Sequence, residues 1–405
     1  MSDSRSVLLL TPQLPWPLHQ GTTLRNFQIV QGLAQRHKLT LLTFVEDDSA
    51  DFGPLPDLCE EIVTIPAPLR SGRDRLFQLL TTRTPDLAGR LESLSFDLAL
   101  DQLLTENRFD IVQIEGLELA SRIDIVRLAS PQSRIIYDAH NAETALQASA
   151  LRTDRGNPRR WPAALYSAVQ IGRLRRFERQ AVQSADAVAA VSDEDAATLH
   201  ALGAPVLPAV IPNCLDVEGY SAPTDGAGVP AVDCVFVGKL DYRPNIDAVL
   251  WFADAIWPLV RAARPHATVA IVGQKPHPRL DRLRTLPGFT LTGRVPDVRP
   301  WLAGAGVVVI PLRMGSGTRL KLIEALAARR PVVSTTIGAA GFPVLDGVQL
   351  RLADQSADFA AAILHLLDHP AAAAALAAAG HAFARQYDWR SVIPRFETLW
   401  KRQGV

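Results

Sequence analysis

Lys321 and Glu324 lie three residues apart in the stretch MGSGTRLKLIEAL, residues 314–326, and Arg319 stands two residues before the lysine. Two cations and a carboxylate at this spacing suit a ligand with both phosphate and hydroxyl groups, since the cations neutralise phosphate and the carboxylate accepts from hydroxyls. On a helix counted from residue 316, Gly317, Lys321 and Glu324 share one arc, and Leu320, Leu322, Ile323, Leu326 and Ala327 share the other. One face packs and the other presents charge. Arg319 falls on the packed side, but from a first turn it can reach back over the loop. The free N–H groups and positive dipole end of a helix attract phosphate, and Gly315 and Gly317, on either side of Ser316, let phosphate approach closely. Residues Gly315, Ser316, Gly317, Thr318, Arg319 and Leu320 are therefore expected to hold a nucleotide diphosphate. Glu324 is expected on the ribose, as acids are in dinucleotide folds. The competing reading of the same residues is a solvated helix face behind a glycine cap.

Such a turn works only if a strand delivers it. The run Gly306 to Leu312 is apolar and β-branched, and similar short runs recur along the chain: Val7–Leu10, Leu39–Phe44, Ile62–Ile65, Ile111–Ile114, Arg134–Tyr137, Ala187–Val191 and Ala209–Ile211, then Cys234–Val237, Thr268–Val272, Phe289–Leu291, Val307–Ile310 and Pro331–Ser334. Each is bounded by polar, Pro or Gly residues and followed by a helical pattern, which is how buried parallel strands read. The segment 221–232, rich in Pro, Gly and Ala, divides the series. The fold expected is α/β, two facing Rossmann-like doubly wound domains with an interdomain cleft, because ligands sit beyond the carboxyl ends of such strands. The domains are placed at 1–215 and 216–385. The segment from Pro370 to Ala384 reads as an alanine-rich helix, and Asp388–Lys401 as a last amphipathic helix. Residues 386–405 are expected to pack back towards the first domain.

A chain of 405 residues is long enough for two cores, and 48% apolar with 21% charged residues is ordinary for a globular protein. The net charge of zero gives no general affinity for nucleic acid. Residues 1–215 carry 21 Lys and Arg against 26 Asp and Glu, and the remainder 21 against 16, so the second half favours an anionic ligand. Cys59, Cys214 and Cys234 are too scattered for a disulfide framework or a zinc site, which fits a reducing cytoplasm. The N-terminal apolar run stops at Thr11 and Pro12, too short for a signal peptide or a membrane span.

With these parts in place, residues 306–326 resemble the signature region of the retaining glycosyltransferases of family four, whose GT-B architecture pairs two Rossmann-like domains. In that family a glutamate, seven residues and a second glutamate mark the donor site. Glu324 takes the second place and Ser316 the first, a departure that bears on how the donor sugar is held. FVGKLDYRPNIDAV, 236–249, resembles the family's first loop of the C-terminal domain, where an Arg and a Lys neutralise the diphosphate. Lys239 stands at the Arg position and Pro244 at the Lys position, with Arg243 beside it; Gly238 is the turn glycine, and Asn245 reads as the N-cap of the next helix. IVGQ, 271–274, and LTGRVPD, 291–297, resemble the strand ends lining the base pocket and bring in Gly273, Arg294 and Val295. PWPLHQGTTLRNF, 15–27, resembles the glycine-containing first loop, with Gly21 before a helix. In YDAHNAET, 137–144, His140 takes the place of the family's cleft histidine, which positions the sugar or its phosphate.

The resemblance implies transfer of a hexose from a nucleotide-diphosphate sugar to a hydroxyl acceptor with retention, in polysaccharide or glycolipid synthesis, without cofactor or metal. His140, Lys239, Arg243, Lys321 and Glu324 would carry the chemistry. Asp193, Glu194 and Asp195 look like a metal-binding acidic motif but are better read as a helix start capped by Ser192. Eight arginines between Arg152 and Arg179, against Asp154 and Glu178, suggest contact with an anionic membrane surface or a lipid-linked acceptor, or else a solvated basic face. Two other functions fit the same donor site: a non-catalytic sugar-nucleotide-binding subunit, and a GT-B-type epimerase, for which no acid/base carboxylates are placed. A dinucleotide dehydrogenase is excluded, because residues 11–21 lack G-x-G-x-x-G.

Overall fold

The computed structural model describes residues 4–18, 20–46, 50–155, 161–222, 229–315 and 318–401. The chain forms two compact units, one of residues 1–213 with 392–405 and the other of residues 214–391. The first holds seven strands: β1 (Ser6–Thr11), β2 (Lys38–Val45), β3 (Glu61–Pro66), β4 (Ile111–Glu115), β5 (Arg134–Ala139), β6 (Ala187–Ala190) and β7 (Ala209–Val210). Their order is β3-β2-β1-β4-β5-β6-β7, and every pairing is parallel. Val7, Leu8, Leu9 and Leu10 are fully buried, as a continuous apolar run with helices on both faces requires.

The second unit holds β8 (Val232–Val237), β9 (Val269–Val272), β10 (Phe289–Gly293), β11 (Ala305–Ile310), β12 (Val332–Ser334) and β13 (Arg351–Leu352). They run in the order β10-β9-β8-β11-β12-β13, again all parallel. Both sheets reverse their winding once, between β1 and β4 in one and between β8 and β11 in the other. A reversal splits the crossover helices to opposite faces and opens a crevice at the strand ends, so these two places are where each sheet can hold a ligand.

Three expectations need correction. Leu215 bridges to Asp388, with Leu215 N–H donating to Tyr387 O at 3.1 Å and Trp389 N–H to Leu215 O at 3.0 Å. That pairing joins 214–215 and 386–391 to the second unit, so the divisions fall at 213/214 and 391/392. The last helix is not continuous either: it runs as Trp389–Val392 and Pro394–Trp400, because Pro394 has no N–H to continue the ladder. Strand β13, two residues long, is too short to leave an alternation pattern and was not expected. In the first unit the segment after Val392 packs against the helix Gly21–Ala34, where a Cβ on Gly32 would stand 2.8 Å from Ile393. Among the described residues no single helix is long and apolar enough to cross a membrane; Ser356–Asp368 and Pro370–Tyr387 pass such a test only together, as a pair bent by 105°.

Candidate functional site

In the second unit the helix Leu320–Ala327 follows β11 and buries Leu322, Ile323, Ala325 and Leu326. It starts three residues later than the reading from Gly317 implies. Gly315 has the positive φ of +122°, and Arg319, the N-cap, has the non-helical φ −98° and ψ 79°, so the helix proper begins at Leu320. Ser316 and Gly317 lie outside the described residues. The buried Arg319 reaches back as expected: a Cβ on Gly315 would stand 2.9 Å from its Nη2, and its Nε donates to Ile337 O at 3.4 Å.

Lys321 and Glu324 come from this helix to the β8/β11 reversal, where they lie beside Val237, Leu302 and Val308–Ile310 at the strand ends. Lys321 Nζ donates to Asn245 Oδ1 at 2.8 Å and lies 4.5 Å from the centre of the Phe236 ring. Burial pushes its ammonium down to about 7, against the favourable charge of Glu324 and with the help of Arg319. Burial likewise raises Glu324, although Tyr220 Oη donates to its Oε1 at 2.6 Å and Lys321 lies nearby. A cation and an acid both displaced towards neutrality, side by side at the strand ends, mark a candidate binding site.

The loops after β8, β9 and β10 are laced together beside this pair. Gly238 N–H donates to Val272 O at 2.9 Å and Gly273 N–H to Gly293 O at 3.3 Å, and a Cβ on Gly273 would run into Gly238 O. Gly238 is also where Lys321 crosses, with Lys321 Nζ 2.8 Å and Asn245 Nδ2 2.9 Å from an added Cβ. Asn245 is thus no N-cap. The helix Arg243–Trp251 begins three residues earlier than such a cap would give, with Tyr242 at its N-cap, and the buried Asn245 side chain bridges Lys321 to Lys239 O at 2.8 Å. Lys239 faces Asp241 at 3.7 Å, and Arg243 and Arg294 are exposed while Val295 is half-buried.

In the first unit His140 follows β5 directly, and its Nε2 is 3.0 Å from Glu115 Oε2. Glu115 ends β4; its Oε1 accepts from Gln113 Nε2 at 2.7 Å, and Gln113 Oε1 accepts from Trp400 Nε1 at 3.4 Å. Gly116, at φ +83°, leaves room beside the imidazole, with His140 Nδ1 3.5 Å from where its Cβ would be. Asp138 takes Arg25 in a two-pronged bond, Nε at 2.9 Å and Nη2 at 2.8 Å, and Arg25 Nη1 also donates to Ile211 O and Asn213 Oδ1, both at 3.2 Å. Burial and the charge of Asp138 push Glu115 up to about 7, and the hydrogen bond and charge of Glu115 raise His140 against the effect of burial. Ligand atoms of Glu115, Asp138 and His140 lie within 4.8 Å of one another, a spacing that could hold a metal ion. Both oxygens of each carboxylate already have donors in Arg25, Gln113 and His140, so the cluster balances its own charge.

Gly21 is the first residue of the helix Gly21–Ala34 and is exposed. Ser192 caps the helix Asp193–Leu202, accepting from Asp195 N–H at 3.1 Å, and Asp195 Oδ1 accepts from Ala142 N–H at 2.9 Å beside His140. Arg159 and Arg160 lie outside the described residues, as do the side chains of Arg152 and Arg155. Arg175, Arg176 and Arg179 are exposed, whereas Glu178 turns inward and accepts from the N–H groups of Glu143 and Thr144 at 2.7 and 3.0 Å. Sequence reasoning missed Arg25, Glu115, Asp138 and Tyr220 as site residues. Polar residues inside the apolar strands IVQIE and RIIYDA were the available signal for two of them.

Residues 231–369 match the profile of a family described as glycosyl transferases group 1, and residues 20–214 match a glycosyl transferase 4-like domain. One curated relative, an uncharacterised 44.6 kDa protein in the cps region of Klebsiella pneumoniae, is 24% identical over 139 residues; the match spans 32% of this chain and 36% of that protein. Among solved structures, Anabaena HepE in complex with UDP-glucose superposes with a TM-score of 0.65 at 17% identity, covering 98% of this chain and 99% of that one. Sucrose-phosphate synthase from Thermosynechococcus elongatus gives 0.71 at 17% identity, covering 98% of each chain. At such identities the likeness shows the fold, which is the GT-B class expected from the sequence.

Proposed function

Because the chain belongs to the group 1 glycosyltransferases, we propose that it transfers a hexose from a nucleotide-diphosphate sugar to a hydroxyl acceptor with retention at the anomeric carbon and without a metal. The observation that carries the reading is the Lys321–Glu324 pair at the β8/β11 reversal, held by Asn245 and Tyr220. HepE, bound to UDP-glucose, supports a uridine donor.

As the diphosphate leaves, negative charge builds on it, and Lys321, Arg319, Lys239 and Arg243 stabilise that charge electrostatically. Glu324 accepts from the ribose hydroxyls, and the close-packed turns at Gly238 and Gly273 with Arg294 and Val295 border the base. His140, oriented by Glu115, positions the donor sugar or its phosphate. The family resemblance favours a polysaccharide or glycolipid product, and the exposed Arg175, Arg176 and Arg179 suit an anionic, lipid-linked acceptor.

The test is a thermal-shift screen against nucleotide sugars, since a ligand of the native state alone raises apparent stability. Transfer or hydrolysis of the best donor is then followed by NMR. A retained anomeric configuration is expected, and an inverted product refutes the retaining assignment. Binding without any turnover in the presence of acceptors favours the non-catalytic subunit.

A further inference from the structure

Glu324 offers two oxygens, and one is already taken. Tyr220 Oη donates to Oε1 at 2.6 Å, at the short end of the O–H···O range, where charge-assisted bonds fall. Oε2 has no hydrogen-bond partner among the described residues. Tyr220 sits on the short helix Val217–Ser221, which is pinned to the second unit around its length. Val217 N–H donates to Asp388 Oδ2 at 3.0 Å, and Arg390 reaches Asp216 at 3.0 Å and Glu218 at 3.4 Å. Asp216 lies so close to Gly219 that a Cβ there would be 2.6 Å from its Oδ2. The tyrosine hydroxyl is therefore a fixed point, and a carboxylate with one oxygen tied to it has lost most of its freedom to rotate.

We propose that Tyr220 is a positioning residue: it fixes one oxygen of Glu324 so that the other is aimed at the sugar of the nucleotide, making the site selective for ribonucleotides over nucleotides without ribose hydroxyls. This rests on the reading of Glu324 as the ribose acceptor. A hydroxyl that only filled space would affect every nucleotide alike; one that aims a carboxylate acts only through the hydroxyls that carboxylate meets.

The experiment is calorimetric titration of the full chain, wild type, Tyr220→Phe and Glu324→Ala, with UDP, GDP and their 2′,3′-dideoxy forms, with thermal unfolding as a check on folding. The wild type binds the ribose form more tightly. Tyr220→Phe cuts that preference about five- to tenfold, the worth of one hydrogen bond, and leaves the dideoxy affinity unchanged. Equal weakening of both forms, or a preference untouched by Tyr220→Phe while Glu324→Ala abolishes it, overturns the role of Tyr220 alone. If Glu324→Ala leaves the preference intact, or no diphosphate binds the wild type, the ribose reading fails and this inference with it.

Discussion

Lys321 Nζ is held by the amide oxygen of Asn245 at 2.8 Å, and no carboxylate is within ion-pair distance of it among the described residues. The cost of desolvating this ammonium outweighs the favourable charge of Glu324, so it gives up its proton easily, hence its fall to about 7. A diphosphate arriving beside it adds negative charge at close range and draws the proton back. Nucleotide binding by the wild type above pH 7 is therefore expected to take up a proton, and affinity to weaken as pH rises from 7 to 9. Calorimetry in two buffers of different ionisation heat reads the uptake directly; Lys321→Met should lose it, and an equal heat in both buffers for the wild type would count against the assignment.

Gly238 sits where the lysine passes. A Cβ there would crowd Lys321 Nζ and Asn245 Nδ2, the movable ends of two side chains, so Gly238→Ala should cost little stability while turning the ammonium away from its place. The expected result is an unfolding midpoint close to that of the wild type and nucleotide affinity reduced about tenfold, the scale of one charge-assisted bond. A large stability loss with unchanged affinity would contradict it.

Arg25 and Asp138 form a pair whose side chains are almost wholly buried, 2.8 Å apart at the closest. Removing one partner strands the other charge, which costs about 3–5 kcal/mol. Arg25→Met should lose about that much in denaturant unfolding of the first unit; a loss below 1 kcal/mol would mean that the pair is not desolvated as the structure has it.

Glu115 carries a folded-state value of about 7 against 4.5 for an unperturbed carboxyl, and it faces Asp138, His140 and Arg25. The fold therefore binds its proton more tightly than the unfolded chain does. Its contribution is fully present below pH 4.5 and is lost as pH rises through about 7; the raised His140 acts in the same direction. Glu115→Gln, which cannot ionise, should show a flatter decline of unfolding midpoint between pH 4.5 and 7 than the wild type. Parallel profiles for the two proteins would be the adverse outcome.

The strands were legible because each is a short β-branched run buried on both faces, and so was the charged face of the helix carrying Lys321 and Glu324. Its start was not. A Gly-Ser-Gly-Thr run does not mark in its pattern where the helix begins, and the non-helical backbone of Arg319 places the start at Leu320. The supporting residues were hidden for another reason: Asn245 and Lys321 are 76 residues apart, Tyr220 and Glu324 are 104 apart, and Arg25 and Asp138 are 113 apart. Local periodicity carries no trace of such pairings. A buried Gln or Asp inside an apolar strand is the one hint, and it marks that a partner exists without saying which.

The most direct test of the nucleotide-sugar site is calorimetric titration of the wild type and of the Lys321→Ala/Glu324→Ala double variant with the nucleotide sugar that gives the largest thermal shift. Saturable one-to-one binding by the wild type, absent from a double variant with unchanged circular dichroism, is the predicted result. Equal affinity in the two proteins would contradict the assignment of the β8/β11 reversal as the donor site.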